Sequence, residues 1–357
     1  ESSKTAIVLP LTESLFPLLT FAVDQFDIKY NISLGYPFKR TSIFDLIENI
    51  ISAQKTRRRK HFYSAKDYLH VMLNPFVKNL NNDDELRSLL LNIEKSVKGE
   101  IPKKATLSKP FLTLTEIEAE CELAAHNLKP NTNKRITEIN TKFFRNFENI
   151  NNLLELSENI EVILEYILNH TNVSSYILSG EIFKIAFESL YMLKQAAFSG
   201  EPFSSDDDSN RSALYDFMLN YLKQINIPFD TKPIEEIEII GMLETRNLSF
   251  ETVIVLDVNE GIIPSPKKVD PLVPLGVYES IGIPTPAYNE EIYRYHFYRL
   301  ISSAKNVHLL YIDTDNKQRS RYIENIIWEK EKELKTLDAI PATVDGNVCT
   351  LTGEPGE

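Results

Sequence analysis

Apolar residues in the first part of the chain alternate between strand-like and helix-like spacing. The stretch AIVLP is short, apolar and ended by a proline, and the stretch YNISL alternates between polar and apolar residues, so both predict strands. Thr12 and Thr41 each precede apolar residues at helical spacing. We therefore expect each threonine to cap a helix, with Pro17 in the first turn or at a kink.

The middle of the chain, residues 53–231, repeats its apolar positions every three or four residues and has no convincing strand. Stretches such as ELRSLLLNI, IEVILEYIL and EIFKIAFESLYMLKQAAF have the period of amphipathic helices. The run Asp206–Asp208 lies in a polar joint without flanking metal ligands, which is typical of a solvated loop. We expect an all-helical domain here, inserted after a first zone of residues 1–52.

Strand-like patterns return in residues 232–335. KPIEEIEIIGML, VIVLDV and NVHLLYI predict three strands, the second a central strand buried on both faces, and NEEIYRYHFYRLISSA predicts a helix capped by Asn289. Neither end zone has enough strands for a covered sheet, but together they supply about five. The predicted fold is an α/β lobe built from both ends of the chain around the helical insertion, followed by a linker over residues 336–357.

The composition excludes several classes of protein. A chain of 357 residues with 43% hydrophobic content favours two globular units. The sequence has no apolar run of roughly 18 residues and no signal-peptide pattern, so we expect a cytoplasmic protein with no membrane partner. Cys121 and Cys349 lie far apart, which indicates a reducing compartment, and the six histidines have no metal-ligand spacing. We predict no metal site.

The charge pattern allows two interpretations. A net charge of −12 is unusual for a free-standing nucleic-acid binder, which carries a basic face. Lys55–Phe62, KTRRRKHF, nevertheless has five Lys or Arg in six positions. This cluster is either a solvated helix end or loop, the simpler interpretation, or a patch that faces phosphates or a partner.

Four stretches in order resemble the second RecA-like lobe of UvrD-type superfamily 1 helicases, and more closely the helicase-like portion of AddB/RecB-type helicase–nuclease proteins. TAIVLPLTESLFPLL is similar to the strand and helix that begin this lobe, and YNISLGYPFKRTSIFDLIENII is similar to the element before its helical insertion. GMLETRNLSFETVIVLDVNEGIIP resembles the fifth motif of the family, and EEIYRYHFYRLISSAKNVHLLYI resembles the sixth. The resemblance implies a RecA-like, P-loop NTPase-like fold and covers nearly the whole chain.

The resemblance fails at the positions that carry the motor chemistry. The family's sixth-motif arginine, which reaches the γ-phosphate, corresponds here to Ser303, and its fifth-motif acidic ribose contact corresponds to Ser249. Such an arginine contributes about 10³–10⁵ in rate, and serine cannot deliver that charge. Arg294 or Arg299 would have to substitute from one or two helical turns upstream. In the fifth motif the DNA-facing threonine and histidine correspond to Gly241 and Leu243.

The other parts of a motor or nuclease have no counterpart in the sequence. No G-x-x-x-x-G-K-[ST] pattern occurs, and no carboxylate–lysine constellation suits a metal nuclease. Pro10 and Leu11 stand where the family has an arginine after the first strand. We therefore expect no cofactor in this chain, with ATP and Mg²⁺ bound elsewhere in an intact protein. By resemblance, a P-loop lobe would precede this chain and a PD-(D/E)XK nuclease domain would follow it.

Two functions remain as hypotheses. The first is a non-catalytic helicase-like module for DNA double-strand-break repair and recombination, which binds single-stranded DNA and supports a partner subunit of the helicase–nuclease. The second is an active ATP-dependent motor lobe completed by an upstream lobe. By resemblance, a polar loop would face DNA with help from nearby lysines and stacking rings, unless it is only a solvated rim: Glu244, Thr245, Arg246, Asn247, Asn259, Lys267, Lys268, Tyr36 and Phe38.

Overall fold

The computed structural model describes residues 5–23, 29–59, 61–100, 107–124, 132–197, 208–229, 237–265, 275–280, 282 and 286–334. The chain forms two compact units. The sheet unit combines residues 1–34 with residues 230–357, and the helical unit is continuous over residues 35–229.

The sheet unit is an α/β fold with five parallel strands. Their order is β2-β7-β1-β8-β9, so strands from both ends of the chain share one sheet, as the sequence predicts. Ile7 is aligned with Ile239 on one side and with Ile254 on the other, which places β1 at the centre. The strands are β1 (Thr5–Leu9), β2 (Tyr30–Ser33), β7 (Ile237–Gly241), β8 (Thr252–Val255) and β9 (Asn306–Leu309).

The stretch VIVLDV forms an interior strand of the sheet, between β1 and β9, but it is not fully buried on both faces as its apolar sequence predicts. β1 and β7 are buried along nearly their whole length, whereas β8 alternates between buried and half-buried residues. The regular strand ends at Val255, and Asp257, with a φ of 53°, interrupts the ladder, although the Val258 amide still donates to the Leu310 carbonyl at 2.9 Å. Along β8, one face is buried and the other is half-buried.

The helices of the sheet unit cover an apolar core. Phe297, Leu300 and Tyr322 pack with Val8 and Val253, and the rings of Phe297 and Tyr322 lie 5.3 Å apart between centroids. Burial of each such side chain contributes about 1.5–3 kcal/mol. The helices here are α1 (Leu15–Leu18), which continues as a π-helix (Leu19–Val23), α11 (Leu275–Ser280), α12 (Pro286–Ser303) and α13 (Arg321–Leu334).

Two predicted helix starts, at Thr12 and Asn289, are wrong. Thr12 begins a 3-10 helix, Thr12–Ser14, and does not cap α1. Pro17 lies in the first turn of α1, which tolerates a proline because its amide needs no partner there. α12 begins at Pro286, so Asn289 lies inside the helix and is not its cap. Proline is favoured at the first helical position, and the helix therefore starts one turn before the predicted residue.

The helical unit contains nine helices in the described residues, together with three very short strands beyond the one that opens it. α2 begins after Thr41, whose Oγ1 accepts a hydrogen bond from the Phe44 amide at 3.2 Å, as predicted. The helices are α2 (Ser42–Lys55), α3 (Ala65–Met72), α4 (Pro75–Lys78), α5 (Asp84–Lys98), α6 (Leu114–Ala124), α7 (Thr132–Phe143), α8 (Leu153–His170), α9 (Ser179–Ala197) and α10 (Asp208–Lys223).

The short strands explain where the helical unit begins. β3 (Tyr36–Pro37) pairs antiparallel with β6 (Asn226–Ile227), and β4 (Tyr63–Ser64) pairs with β5 (Phe111–Leu112). Two-residue ladders are too short to give a periodic sequence signal, so the prediction of a strand-free region missed them. Because the β3–β6 pair joins the two ends of this unit, the units separate at Gly35 and not after Ser52, where the sequence pattern places the boundary.

Candidate functional site

The carboxyl edge of the parallel sheet has a topological switch point between its two neighbouring strands β1 and β8. The chain leaves β1 towards β2 on one side of the sheet and leaves β8 towards β9 on the other. Such divergence opens a crevice where α/β proteins bind ligands. Here the Ser14 hydroxyl donates a 2.5 Å hydrogen bond to Asp257 Oδ2 across the strand ends. A carboxylate at this position disfavours the phosphate of a nucleotide.

The loop after β7, residues 242–250, lies against α12. Arg299 donates from Nη2 to the Thr245 carbonyl at 3.5 Å and from Nη1 to Asn247 Oδ1 at 3.4 Å. Asn247 has a φ of 60°, a left-handed conformation that asparagine tolerates better than most residues. Arg299 therefore fixes the path of the loop.

Charges of opposite sign lie two residues apart in this loop, at Glu244 and Arg246. The pKa of His296 is lowered by burial and by the positive charges of Arg246 and Arg299. The pKa of Tyr293 is raised to about 12 by burial and by the carboxylate of Glu244. We name Arg246, His296 and Arg299 the basic cluster. It is the part of the loop–helix contact suited to an anion.

The structure brings four of the predicted DNA-facing residues together, but it does not expose all of them. Glu244, Arg246 and Asn247 are exposed, whereas Thr245 is buried and its Oγ1 donates to the Met242 carbonyl at 2.7 Å. Two apolar side chains flank them, since Leu243 is 48% exposed and Leu248 is 43% exposed. Leu248 therefore does not pack under the loop, whereas Phe250 is buried in the core.

Asn259 has a structural role in place of the predicted DNA contact. Its side chain is buried, its Nδ2 donates to the carbonyls of Ile312 (2.6 Å) and Gln318 (2.9 Å), and its Oδ1 accepts from the Ile312 amide at 3.1 Å. Through these three bonds, the side-chain amide of Asn259 binds backbone groups more than fifty residues away in the chain. Asn259 therefore joins the turn after β8 to the segment between β9 and α13.

The predicted ATP-site positions do not form a phosphate site in the described residues. Ser249 and Ser303 are exposed, and the Ser303 hydroxyl donates to the Leu300 carbonyl of its own helix at 2.9 Å. Arg294 is exposed, and its charge acts on the hydroxyls of Tyr298 and Tyr322. At about 100° per residue, Arg294 and Arg299 project from α12 roughly 140° apart. Arg294 is therefore separate from the basic cluster.

The remaining predicted contacts are buried or lie outside the described residues. Tyr36 and Phe38 belong to the helical unit, where both are buried, and Phe38 packs edge-on against Phe44 with ring centroids 6.1 Å apart. Neither ring is exposed for stacking on a base. Lys267 and Lys268 lie outside the described residues.

The arginine-rich segment after α2 is largely paired within the helical unit. Lys55 bonds Asp216 at 2.7 Å, Arg57 Nη2 donates to the Glu148 carbonyl at 2.8 Å, and Arg58 lies 4.1 Å above the Phe111 ring. Arg59 is exposed. Most of this segment therefore anchors a turn, and it is not an open basic patch.

Comparisons add no family assignment. Neither models of protein families nor curated proteins gave a match to this chain. Within the described ranges, His, Cys, Asp and Glu side chains form no group of three that suits a metal ion. None of the helices in those ranges combines the length and hydropathy of a membrane span.

Sequence reasoning missed two residues of the loop–helix contact. Tyr293 and His296 look like ordinary members of an aromatic helix in the pattern EEIYRYHFYRL. Their spacing of three, continued by Arg299, places all three on one helix face, and this was the signal present in the sequence. What marks that face as a candidate site is the loop packed against it.

Proposed function

We propose that this chain is a non-catalytic, RecA-like helicase module of a DNA-break-repair helicase–nuclease of the AddB/RecB type. Its role is to bind single-stranded DNA and to support a partner subunit. The four family-like stretches occur in order, and the two last of them form the loop after β7 and α12, which contact each other through Arg299. The observation that carries the proposal is the basic cluster at this contact.

The basic cluster has the chemistry of a phosphate-backbone contact. Arg246 is exposed, and its charge and that of Arg299 converge near His296. Tyr295, 62% exposed, is an aromatic surface on the same helix. Single-stranded DNA is bound by such combinations of cations and rings, and the binding weakens as salt rises. A local cluster suffices for weak binding although the whole chain is acidic.

The proposal assigns no ATP turnover to this chain. Ser303 replaces the family's arginine, and the carboxylate of Asp257 occupies the switch point, where it opposes a bound phosphate. The guanidinium of Arg299 lies at the loop after β7, where it bonds Thr245 and Asn247, and the proposal assigns it to the DNA contact and not to a nucleotide. ATP and Mg²⁺ would be bound by other parts of an intact protein, and nuclease activity would belong to another domain.

Fluorescence anisotropy with a labelled oligo-dT strand at low salt tests the proposal. We expect salt-dependent binding that R246Q weakens about tenfold, equivalent to about 1.4 kcal/mol. R294Q is the matched control, because it removes the same charge from an exposed arginine on another side of α12. An equal loss of affinity for oligo-dT in both variants would indicate only an effect of net charge. If the wild-type protein does not bind oligo-dT, the DNA role is contradicted.

A further inference from the structure

The outer edge of β9 is the exposed side of the parallel sheet. β9 pairs with β8, and no strand in the described ranges pairs with its other side. The opposite edge strand, β2, is buried or half-buried along its length, whereas β9 is exposed at all residues but its last. The chain stays along this edge after β9, because the Leu310 amide donates to the Val255 carbonyl at 2.9 Å. We name residues 306–312 the β9 edge.

The β9 edge has none of the residues that keep a free strand from pairing. Proteins place charged side chains or proline on such strands to prevent an added strand from binding. Asn306–Ile312 contains no Lys, Arg, Asp, Glu or Pro. Leu310 is 46% exposed and Ile312 is 45% exposed. An uncharged, apolar edge of this kind is suited to a further strand.

The helix after β9 indicates where the chain goes next. α12 connects β8 to β9, and α12 and α13 cover the same face of the sheet, since Phe297 and Tyr322 pack in one core with Val253. Crossovers between parallel strands have one hand, so a second helix on that face leads one step further in the same direction, onto the β9 edge. The 14 residues of α13 span about 21 Å, enough to cross the sheet towards the amino ends of its strands.

The sequence after α13 contains a segment that fits this edge. Residues 336–357, expected as a linker, lie outside the described residues. Within them, IPATV alternates Ile340, Ala342 and Val344 with a proline and a threonine, a strand-like period. Residues 335–339 would connect α13 to this segment, a connection within the usual range of roughly 2–6 residues. A proline inside a strand is tolerated at the edge of a sheet.

We propose that Ile340–Val344 binds the β9 edge as a sixth, parallel strand. The amide and carbonyl of Leu310 both bond inward to β8, so the backbone groups of its neighbours Leu309 and Tyr311 point outward. The added strand gives these outward groups hydrogen-bond partners and covers the apolar edge. The surface is separate from the loop–helix contact, and the pairing does not depend on DNA binding.

Proline determines which residues of the segment face β9. Pro341 has no amide to donate, so it faces the new outer edge, and Thr343, two residues later, faces the same way. Ala342, between them, therefore donates its amide towards β9. Proline substitutions at two adjacent positions of the segment thus have opposite expected effects.

Hydrogen exchange of the full chain, followed by NMR, tests the pairing. We expect the amides of Leu309 and Tyr311 to exchange at least about tenfold more slowly than in a chain that ends at Lys335. A342P removes an inward amide and should abolish this protection. T343P is the matched control, because it removes an outward amide from the same segment and should keep the protection. A chain that ends at Asp345 should also keep it.

Other results would overturn the proposal. Fast exchange of both amides in the wild type would show an uncovered edge. Protection that persists in the chain ending at Lys335 would assign the edge to another part of the protein, or to a second copy if it depends on protein concentration. Protection that A342P retains, or that is lost in the chain ending at Asp345, would assign the edge to a different segment of residues 336–357.

Discussion

Arg246 is the exposed cation of the loop after β7, and its effect on the pKa of His296 can be measured directly. Burial and the two arginines lower the pKa of His296, so the neutral imidazole is favoured in the folded protein. R246Q should raise this pKa towards its usual value, whereas R246K should keep it low because the charge is retained. An NMR titration of the His296 ring checks this. An unchanged pKa in R246Q would contradict the loop–helix geometry.

Asn259 should behave as a structural residue and not as a binding residue. Its side chain makes three hydrogen bonds to the backbone at Ile312 and Gln318. N259A would leave these buried groups without partners, and we expect a loss of about 3 kcal/mol in the free energy of unfolding. Urea denaturation measures the loss, and S249A in the nearby exposed loop should change it by less than about 0.5 kcal/mol.

At the scale of elements, one ion-pair group joins the turn after β8 to the start of α13 and to α12. Glu260 accepts from the Arg321 amide at 3.0 Å and from Arg321 Nε at 2.9 Å, while Arg321 Nη1 lies 3.3 Å from Glu290. The Glu260 carboxylate thus caps the positive end of α13 from another element. The contact holds α13 over the core.

This group should make stability depend on pH. Hydrogen bonds from the Arg321 side chain and amide lower the pKa of Glu260 in the folded state. Its contribution is therefore present above the unfolded pKa of about 4.3 and is lost as the pH falls through the lower folded value. E260Q should reduce the melting temperature at pH 7 and flatten its fall on acidification. The effect is small, because the pair is partly exposed.

Prediction from sequence succeeded best at this scale. The five strands were predicted because β1, β7 and β8 lie in apolar runs and β2 and β9 alternate between polar and apolar residues, and Thr41 because its hydroxyl precedes a helical pattern. The two-residue strands and the true start of α12 were not predicted. Their position depends on pairing partners or on a proline, and the hydrophobic period does not report either.

At the scale of the whole molecule, the helical unit is inserted in the chain between β2 and β7, and its own two ends lie close together. Tyr36 pairs with Ile227 and Pro37 with Asn226, so the ends of residues 35–229 lie side by side, about 5 Å apart between strands. A unit with adjacent ends can be removed without separating the strands that flank it.

Excision of the helical unit should leave two folded proteins. We expect residues 35–229 to unfold cooperatively with helical circular dichroism, and residues 1–34 joined to 230–357 by a short Gly-Ser linker to keep the sheet. Residues 230–357 without this addition should fail to fold, because they lack β1, the central strand. Cooperative folding of that last fragment would contradict the observed strand order.

The amino-acid sequence determined which segments are strands and helices, and that strands from both ends belong to one sheet. Periodicity records which face of an element is buried, and this is a local property. The tertiary structure alone decided that Asn259 and Thr245 are buried, that Arg299 holds the loop, and that Arg57 points inwards. These outcomes depend on contacts with residues far away in the chain. The hydrophobic periodicity of the sequence does not indicate which distant residues will be in contact.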